Sequence, residues 1–471
     1  MRILLTLLVP VTLGACASPV PAPATSANPE LKQYEGLYEY QDNTRLYMKV
    51  SPIDGKLYAV IGESLYGLNA VRKDAFVDVA NSEVLFERDS SQQVMGWRYP
   101  GKKPERFYKL LAKETVSDKS WFPRLPVVAN FAYQYQTPKA TKNGPPVADL
   151  TGMGLNAAPI AQMMYKIIDG TYKNVDSVLI VKDGKLVLEE YFYQYDQDKL
   201  HEQRSATKSV VSALVGIAID KGFIKNTQQT VLDFFPEYEL KNLTEDKKKI
   251  TIEDLLTNQS RLDCDDWNPA SPGQEQKMYE SEDWVKFVLD LPMLGKPGSR
   301  GAYCTGGVVT LGRIVEKASG KKLAEFADGA LFKPLGVTQF GWDFNSVSQG
   351  MLKLTPVDMA KFGLLYLNGG RYQGKQIISE AWVKNSLTKH STVGGINYGY
   401  LWWLEPLKVD GKNVEGMAAK GNGGQRIYIW PELNAVTVIT GSNYNRESPT
   451  TTLLREYVLP ALLPTKAPAS K

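Results

Sequence analysis

A serine and a lysine three residues apart stand at the start of an apolar helical segment. Ser205-Ala206-Thr207-Lys208 is followed by SVVSALVGIAID, in which apolar residues fall on almost every side of a helix. Residues at positions i and i+3 share a helix face, so the Lys208 amine would lie beside the Ser205 hydroxyl. Burial lowers the pKa of a lysine from about 10.4, and a neutral lysine can take the serine proton. The alternative is a helix-capping serine beside a lysine that extends to solvent.

Two further Ser-x-x-Lys pairs occur in the chain, in settings that favour a structural role. Ser319 and Lys322 lie in a polar turn after a helix, and Ser386 and Lys389 lie near the end of an amphipathic helix. Because Ser205 alone heads an apolar helix, it is the candidate nucleophile.

Other hydrolytic chemistries have little support in the sequence. The chain has no Gly-x-Ser-x-Gly motif, and its two histidines, His201 and His390, are expected at the surface, so a Ser-His-Asp triad is not indicated. No His/Cys cluster has the spacing of metal ligands. Asp263, Asp265 and Asp266 lack the positions and the glycine of a calcium loop. We therefore expect a reaction that needs no metal and no cofactor.

Several segments together resemble the penicillin-recognising serine hydrolases, and within them the class C β-lactamases and related esterases, amidases and D,D-peptidases. SATKSVVSALVGIAIDKG is similar to the first motif, and PGSRGAYCTGGVVTLGRIVEKASG has Tyr303-Cys304-Thr305 where the family has Tyr-x-Asn or a variant. TIEDLLTNQSRLD resembles the family's Leu-Leu-x-x-x-Ser-Gly loop, with Arg261 where glycine is usual. LTPVDMAKFGLLYLNGGRYQGKQIISEAWV and YGYLWW match later family elements, and the likeness covers roughly residues 155–462.

The resemblance implies a role for each matching residue. Ser205 would form an acyl-enzyme, and Tyr303 with Lys208 would carry its proton to and from the leaving group. Thr305 would orient the lysine or a substrate amide.

The third motif of the family is altered in this chain. The family has Lys/His-Thr/Ser-Gly on the strand beside the site, and this sequence has AKGNGG at residues 419–424. Aligning Gly421 with the family glycine puts Ala419 in the cationic position. Side chains alternate along a strand, so Lys420 would face away. A substrate carboxylate would lose its usual partner, which favours esters or amides without a carboxylate at that point.

The backbone of the same strand keeps a second expected role. Gly421, Asn422 and Gly423 would line the substrate, and the amides of Ser205 and Asn422 would form an oxyanion hole. The glycines are equally compatible with an ordinary bulge or turn. Five aromatic residues are candidate pocket walls, with core packing as the equal alternative for each: Trp267, Tyr398, Tyr400, Trp402 and Trp403.

The chain of 471 residues is long enough for two or more domains. Short alternating strands predict a small antiparallel all-β, barrel-like domain over residues 31–112, loosely resembling lipocalin modules. Residues 113–155 are an irregular connecting segment. Residues 156–462 predict an α+β domain of the β-lactamase/transpeptidase kind, with an antiparallel sheet flanked by helices and an inserted helical subdomain. Residues 463–471 form a tail.

The N-terminus predicts export and anchoring. MRILLTLLVPVTLGAC has an early positive charge and an apolar run too short to cross a bilayer. Its ending resembles the lipobox of bacterial lipoproteins, which implies removal of residues 1–15 and lipidation of Cys16; a plain signal peptide is the alternative. Residues 16–30 are a Pro/Ala-rich tether. The expected location is the bacterial cell envelope, anchored to a membrane and facing the periplasm.

The remaining two cysteines, Cys264 and Cys304, are expected to form a disulfide in an oxidising envelope. The net charge is +4, and no basic run is interleaved with aromatics, so nucleic acid is not an expected partner.

The combined prediction is a serine hydrolase acting on a small ester, amide or peptidoglycan-like substrate. β-Lactamase or D-alanyl-D-alanine carboxypeptidase activity is the alternative within the family. A non-catalytic envelope ligand-binding protein is the alternative of another class.

Overall fold

The fold is taken from a computed structural model, which describes residues 29–40, 44–62, 64–79, 81–101, 107–124, 132–345 and 348–463. The described residues form two compact units, one within 1–59, 66–121 and 125–132, the other within 60–65, 122–124 and 133–471. The predicted signal peptide, Cys16, the tether up to residue 28 and the tail from residue 464 lie outside the described residues.

A closed barrel of eight strands confirms the predicted small β domain. Strands pair in chain order and the first pairs antiparallel with the last. A short helix, α1 (Pro29–Lys32), precedes the strands β1 (Gly36–Tyr40), β2 (Thr44–Val50), β3 (Leu57–Ile61), β4 (Ser64–Arg72), β5 (Ala75–Val77), β6 (Glu83–Arg88), β7 (Val94–Arg98) and β8 (Phe107–Ala112).

Aromatic side chains pack the barrel interior. Trp97 is 2% exposed and stacks on Tyr108 with ring centroids 4.0 Å apart. Tyr38 and Phe76 are buried in the same cluster, beside aliphatic residues such as Leu46. Inward-facing positions alternate with outward ones along each strand, so this cluster is the hydrophobic core of the unit.

An antiparallel sheet of eight strands, in the order β10-β9-β23-β22-β21-β18-β17-β16, forms the centre of the second unit. Asp183 and Gly184 both have positive φ, which gives the hairpin between β9 and β10 the turn that its Asp-Gly pair predicts. The strands are β9 (Val175–Lys182), β10 (Lys185–Tyr191), β11 (His201–Glu202), β12 (Gly341–Asn345), β13 (Ser348–Leu354), β14 (Arg371–Tyr372), β15 (Lys375–Gln376), β16 (Ser391–Val393), β17 (Ile396–Tyr398), β18 (Trp403–Leu404), β19 (Leu407–Val409), β20 (Lys412–Val414), β21 (Met417–Gly421), β22 (Gln425–Trp430) and β23 (Ala435–Gly441).

Helices flank this sheet and fill the insertion between β11 and β12, which confirms the predicted α+β fold. They are α2 (Ala157–Ile168), α3 (Thr207–Asp220), α4 (Ile252–Leu256), α5 (Glu275–Tyr279), α6 (Trp284–Asp290), α7 (Thr305–Ser319), α8 (Leu323–Ala327), α9 (Pro356–Leu367), α10 (Glu380–Ser386), α11 (Thr450–Leu453) and α12 (Leu459–Leu462). Helix α9 packs on β9, β22 and β23, and α3 packs on α7 and β21. Along the described ranges, no helix has the length and apolar composition that crossing a membrane requires.

Candidate active site

The predicted serine–lysine pair forms at the N-terminus of α3. A 3-10 turn, Arg204–Ala206, leads Ser205 into the helix, and Lys208 Nζ donates a hydrogen bond to Ser205 Oγ over 3.0 Å. Lys208 is 7% exposed, whereas Ser205 is half-buried. The lysine is therefore enclosed by protein while part of the serine remains accessible.

Helix α3 is buried on all sides, as its sequence predicts. Every residue from Thr207 to Ala218 is buried. A Cβ added at Gly216 would lie 2.5 Å from the Trp382 indole, so the helix has no room for a larger side chain there. Such packing fixes the position of the serine–lysine pair.

Tyr303 completes the group. It is 8% exposed, and Lys208 Nζ lies 5.0 Å from the centroid of its ring. Asn258 holds the chain on both sides of the tyrosine: the Ala302 amide donates to its carbonyl oxygen over 2.9 Å, and the Cys304 amide donates to its Oδ1 over 3.3 Å. The structure thus brings the three predicted catalytic side chains together.

The groups around Lys208 oppose the predicted loss of its charge. Burial by itself lowers the pKa of the amine, but Tyr303, Asp266 and Glu275 favour the ammonium and leave the pKa above its ordinary value. This direction runs against the neutral lysine that burial alone predicts, because the sequence indicated the burial of Lys208 but not the acidic groups around it.

Two carboxylates adjoin the motif that contains Tyr303. Asp266 Oδ2 accepts hydrogen bonds from the Thr305 amide and from Thr305 Oγ1, each over 2.7 Å. The same hydroxyl reaches Glu275 Oε2 over 3.2 Å. Burial raises the pKa of Asp266 from its usual value to about 6. Thr305, expected to orient the lysine or a substrate amide, donates its hydroxyl to these carboxylates.

The predicted disulfide between Cys264 and Cys304 is present, with Cα atoms 5.4 Å apart and a sequence separation of 40. It joins the residue after Tyr303 to the segment that contains Asp266. The bridge therefore holds the half-buried Asp266 carboxylate close to the motif that contains Tyr303.

Arg261 occupies a position where the family usually has glycine, and it adopts the backbone conformation that glycine favours. Its φ is +61°, in the left-handed region where the family's glycine is favoured. The side chain donates from Nη2 to the Leu294 carbonyl oxygen over 2.9 Å. The backbone of the loop is therefore kept, with an arginine in place of the glycine.

Two aromatic rings stack on Tyr303. Trp267 and Tyr303 have centroids 5.0 Å apart at 11°, and Tyr303 and Trp403 have centroids 5.6 Å apart at 29°. Trp267 is 56% exposed, whereas Trp403 is buried. Trp267 and Trp403 thus adjoin the site; the other three candidates are buried side chains, Tyr398, Tyr400 and Trp402.

Strand β21 carries the altered third motif beside the serine. Ala419 is buried and pairs with Ile427 of β22, on the strand face opposite Lys420. Lys420 Nζ donates to Glu405 Oε2 over 2.7 Å. A Cβ on Gly421 would lie 2.3 Å from the Gln203 carbonyl oxygen, so only glycine allows the strand to approach the turn that carries the nucleophile.

The turn after β21 uses the remaining glycines. Gly423 and Gly424 have φ of +93° and +107°, which side chains rarely allow. Asn422 is exposed, and its Nδ2 donates to Asn445 Oδ1 over 2.7 Å. The oxyanion hole between the amides of Ser205 and Asn422 stays a prediction.

The family model described as Beta-lactamase matches residues 173–459, the range that contains all of these groups. The chain belongs to the Beta-lactamase family. Its homologues in the family are hydrolases of amides and esters, so the site described above is that of a β-lactamase-related hydrolase.

This Beta-lactamase family member is similar to a curated hydrolase and to several solved structures. The 6-aminohexanoate-dimer hydrolase of Paenarthrobacter ureafaciens is 25% identical over 295 residues, which cover 56% of this chain and 71% of the relative. The solved structure of a penicillin-binding protein homologue from Caulobacter crescentus has a TM-score of 0.50 at 19% identity, over 65% of this chain and 97% of that one. A family VIII carboxylesterase structure has a TM-score of 0.53 at 16% identity, over 65% and 96% of the two chains. The two structures show the shared fold.

The two histidines of this Beta-lactamase family chain, both expected at the surface, differ in burial. His201 is 0% exposed, and its Nε2 lies 2.9 Å from Asp176 Oδ2. Ser442 Oγ donates to the same carboxylate oxygen. His390 is half-buried and stacks on Tyr400, with centroids 4.3 Å apart. The surface prediction is wrong for His201, since local sequence does not show which distant side chains cover a histidine, whereas the side chain of His390 is 21% exposed.

Asp266 and Glu275 are the site residues that the sequence alone did not reveal. Asp263, Asp265 and Asp266 do not fit a calcium loop, and the sequence indicated no other role for Asp266. Its position two residues after Cys264 is the signal that could have located it, because the bridge to Cys304 brings this segment to the tyrosine.

Proposed function

We propose that this family member hydrolyses an ester or amide bond through an acyl-enzyme on Ser205. The observation that carries the proposal is the group of three side chains in which Lys208 Nζ lies 3.0 Å from Ser205 Oγ and 5.0 Å from the centroid of the Tyr303 ring. A nucleophile, a fixed cation and a proton-transfer group are thereby adjacent, as nucleophilic catalysis requires.

In the proposed reaction, Ser205 Oγ bonds to the substrate carbonyl carbon while its proton passes to the oxygen of Tyr303. The Lys208 ammonium stabilises the tyrosine in its phenolate form. The oxyanion of the tetrahedral intermediate is held by the amides of Ser205 and Asn422. Tyr303 then protonates the leaving oxygen or nitrogen as its bond to carbon breaks. Water attacks the acyl group, gives a proton to Tyr303 and releases the acid, and Ser205 recovers its proton.

The proposed substrate has no carboxylate beside strand β21. Ala419 offers no cation there, and the Lys420 ammonium is paired with Glu405. The names of the relatives, a 6-aminohexanoate-dimer hydrolase and a carboxylesterase, support amides and esters as the substrate class. β-Lactams and D-alanyl-D-alanine peptides, which carry such a carboxylate, rank lower.

The enzyme is further proposed to act at the bacterial cell envelope, on a membrane-anchored chain that faces the periplasm. The support is the lipobox-like ending at Cys16 and the tether that follows it. Cys16→Ala should release the protein from the membrane fraction of the expressing cells, while the envelope-exported wild type stays with it.

Labelling with a fluorophosphonate tests the nucleophile. Intact mass should show one adduct on the wild type and none on Ser205→Ala. Ser319→Ala is the matched control, since Ser319 is the serine of another Ser-x-x-Lys pair, and its Oγ accepts a hydrogen bond from the Lys321 amide over 3.3 Å. Equal labelling of wild type and Ser205→Ala would refute the mechanism.

Turnover of chromogenic esters, anilides and a cephalosporin tests the substrate class. Esters or anilides should be hydrolysed faster than the cephalosporin. A wild type that binds peptidoglycan fragments, yet gives neither adduct nor turnover, would be a binding protein.

A further inference from the structure

Asp266 contacts the tyrosine motif through its main chain and its side chain. Its amide donates to the Tyr303 carbonyl oxygen over 2.9 Å. Its Oδ2 accepts from both the amide and the hydroxyl of Thr305, the first residue of α7. The next residue, Trp267, stacks on the Tyr303 ring. Asp266 is therefore hydrogen-bonded to the residues on both sides of the disulfide-bonded Cys304.

The pairing of this carboxylate is incomplete. Its Oδ1 is buried and accepts no hydrogen bond from any residue that the structure describes. Glu275 Oε2 lies 3.2 Å from the same Thr305 hydroxyl and accepts from the Tyr279 hydroxyl over 3.1 Å, which places a second negative charge nearby. A half-buried carboxylate with one buried, unsatisfied oxygen costs stability, so its presence beside Tyr303 points to a functional role.

We propose that Asp266 is a positioning residue, which fixes Tyr303 through the chain on both sides of it and keeps Lys208 charged through its own negative charge. This inference rests on the proposed acyl-enzyme function and adds an acidic group to the serine, lysine and tyrosine.

The electrostatics of the surrounding groups agree with this role. Burial lowers the pKa of Lys208 on α3, and the charges of Tyr303, Asp266 and Glu275 outweigh this effect. Burial raises the pKa of Asp266 to about 6, while Lys208 and Thr305 act in the opposite direction. The carboxylate therefore gains its charge around pH 6, and it holds the ammonium most strongly above that pH. Burial and the Glu275 carboxylate raise the pKa of Tyr279, and the positive charge of Arg204 partly opposes them.

Asp266→Asn tests the proposal because it keeps an acceptor oxygen for Thr305 and removes the charge. Asp265→Asn is the matched control: it removes the same charge one residue away, where Oδ1 accepts from the Trp267 amide over 3.0 Å. The measurement is kcat/KM for an activated ester, corrected for spontaneous hydrolysis, from pH 5 to about pH 12, because the pKa of Lys208 lies above its ordinary value of about 10.4. In Asp266→Asn the basic limb, where Lys208 loses its proton, should move to lower pH. The control should keep the wild-type profile, and the difference between Asp266→Asn and wild type should vanish below about pH 6.

A loss of activity by the same factor at every pH, or an equal shift in the control, would overturn the proposal. Fluorophosphonate labelling of the wild type separates the two hypotheses. A wild type without an adduct refutes the proposed function, whereas labelled variants with unshifted profiles refute only the role of Asp266. If Asp266→Asn does not fold, as judged by circular dichroism, Glu275→Gln replaces it. The basic limb should then move in the same direction by less, and an unmoved limb would refute the proposal.

Discussion

The barrel and the hydrolase unit each contain a carboxylate near a tyrosine and a cation, and they pair it differently. In the barrel, Asp74 accepts from the Tyr34 hydroxyl over 2.8 Å and from Arg88 Nη2 over 2.6 Å, and Arg88 Nε lies 3.0 Å from both of its oxygens. The hydrogen bond from Arg88 lowers the pKa of Asp74 against the effect of burial. In the hydrolase, Asp266 accepts from Thr305, and burial raises its pKa to about 6.

The difference separates a structural carboxylate from a functional one. A carboxylate with a direct arginine partner is satisfied in place and stabilises the native state. One that lacks such a partner lowers stability, and its charge acts on the pKa values of neighbouring groups. Three pairs of variants test this contrast.

The largest expected effect comes from removing each cation. Lys208→Met should lower kcat/KM of ester hydrolysis by about 10²–10⁴-fold, because Tyr303 loses the charge that stabilises its phenolate. Arg88→Met should leave kcat/KM unchanged and lower the free energy of unfolding by about 1–3 kcal/mol, because Asp74 loses its charged partner. Kinetics and urea unfolding of the full chain measure both. An equal loss of activity in the two variants would contradict the assignment of Lys208 to the site and of Arg88 to a structural role.

Replacing the stacked tryptophan of the barrel should mainly affect stability, whereas replacing the one beside Tyr303 should mainly affect substrate binding. Trp97→Ala in the barrel should lower the free energy of unfolding by about 3–5 kcal/mol, since the side chain is 2% exposed. Trp267→Ala should change it by less than about 0.5 kcal/mol, since the side chain is 56% exposed. It should instead raise KM for an aromatic ester about 5-fold through the lost ring surface beside Tyr303. Comparable destabilisation by both would contradict the assignment of Trp267 to the site.

Neutralising the two carboxylates should change the free energy of unfolding in opposite directions. Asp74 has a lowered pKa in the folded state, so its stabilisation is present above its ordinary pKa and is lost as pH falls through the folded value. Asp74→Asn should therefore lower the free energy of unfolding at pH 8 by about 1–2 kcal/mol. Asp266 has a raised pKa, so stability falls as pH rises from its ordinary value to about 6.

Asp266→Asn should accordingly raise the free energy of unfolding at pH 8 by about 1–3 kcal/mol and change it little at pH 4. Urea unfolding of each variant and of wild type at both pH values provides the comparison. The same sign for both variants at pH 8 would show that the pairing of Asp266 is as complete as that of Asp74.

Much of the fold was predictable because it is encoded in local periodicity. Alternation along strands such as Thr44–Val50 indicated the barrel, and the Asp183-Gly184 pair indicated a hairpin turn that the structure contains. The interior of the barrel was less accessible to prediction, since which rings meet depends on strand register. Tyr108 and Trp97 stack because β7 pairs with β8 in one register.

The site was predictable only where its members are close in sequence. Ser205 and Lys208 are related by one helical turn, and their hydrogen bond follows from that spacing. Tyr303 was found through the family resemblance and lies beside them. The burial of His201 against Asp176 was missed, because the two residues meet only when β9 and the strand before α3 are packed together.

The sequence by itself determined which residues are adjacent on α3 and that the helix is buried, and it predicted a bridge between Cys264 and Cys304 that the structure then showed. These follow from helical periodicity, apolar composition and the oxidising compartment that the N-terminus indicates. Only the tertiary structure decided the charge of Lys208. A pKa depends on the groups within a few ångströms in space, and the acidic groups that keep this lysine charged come from segments about 60 to 100 residues away in the chain.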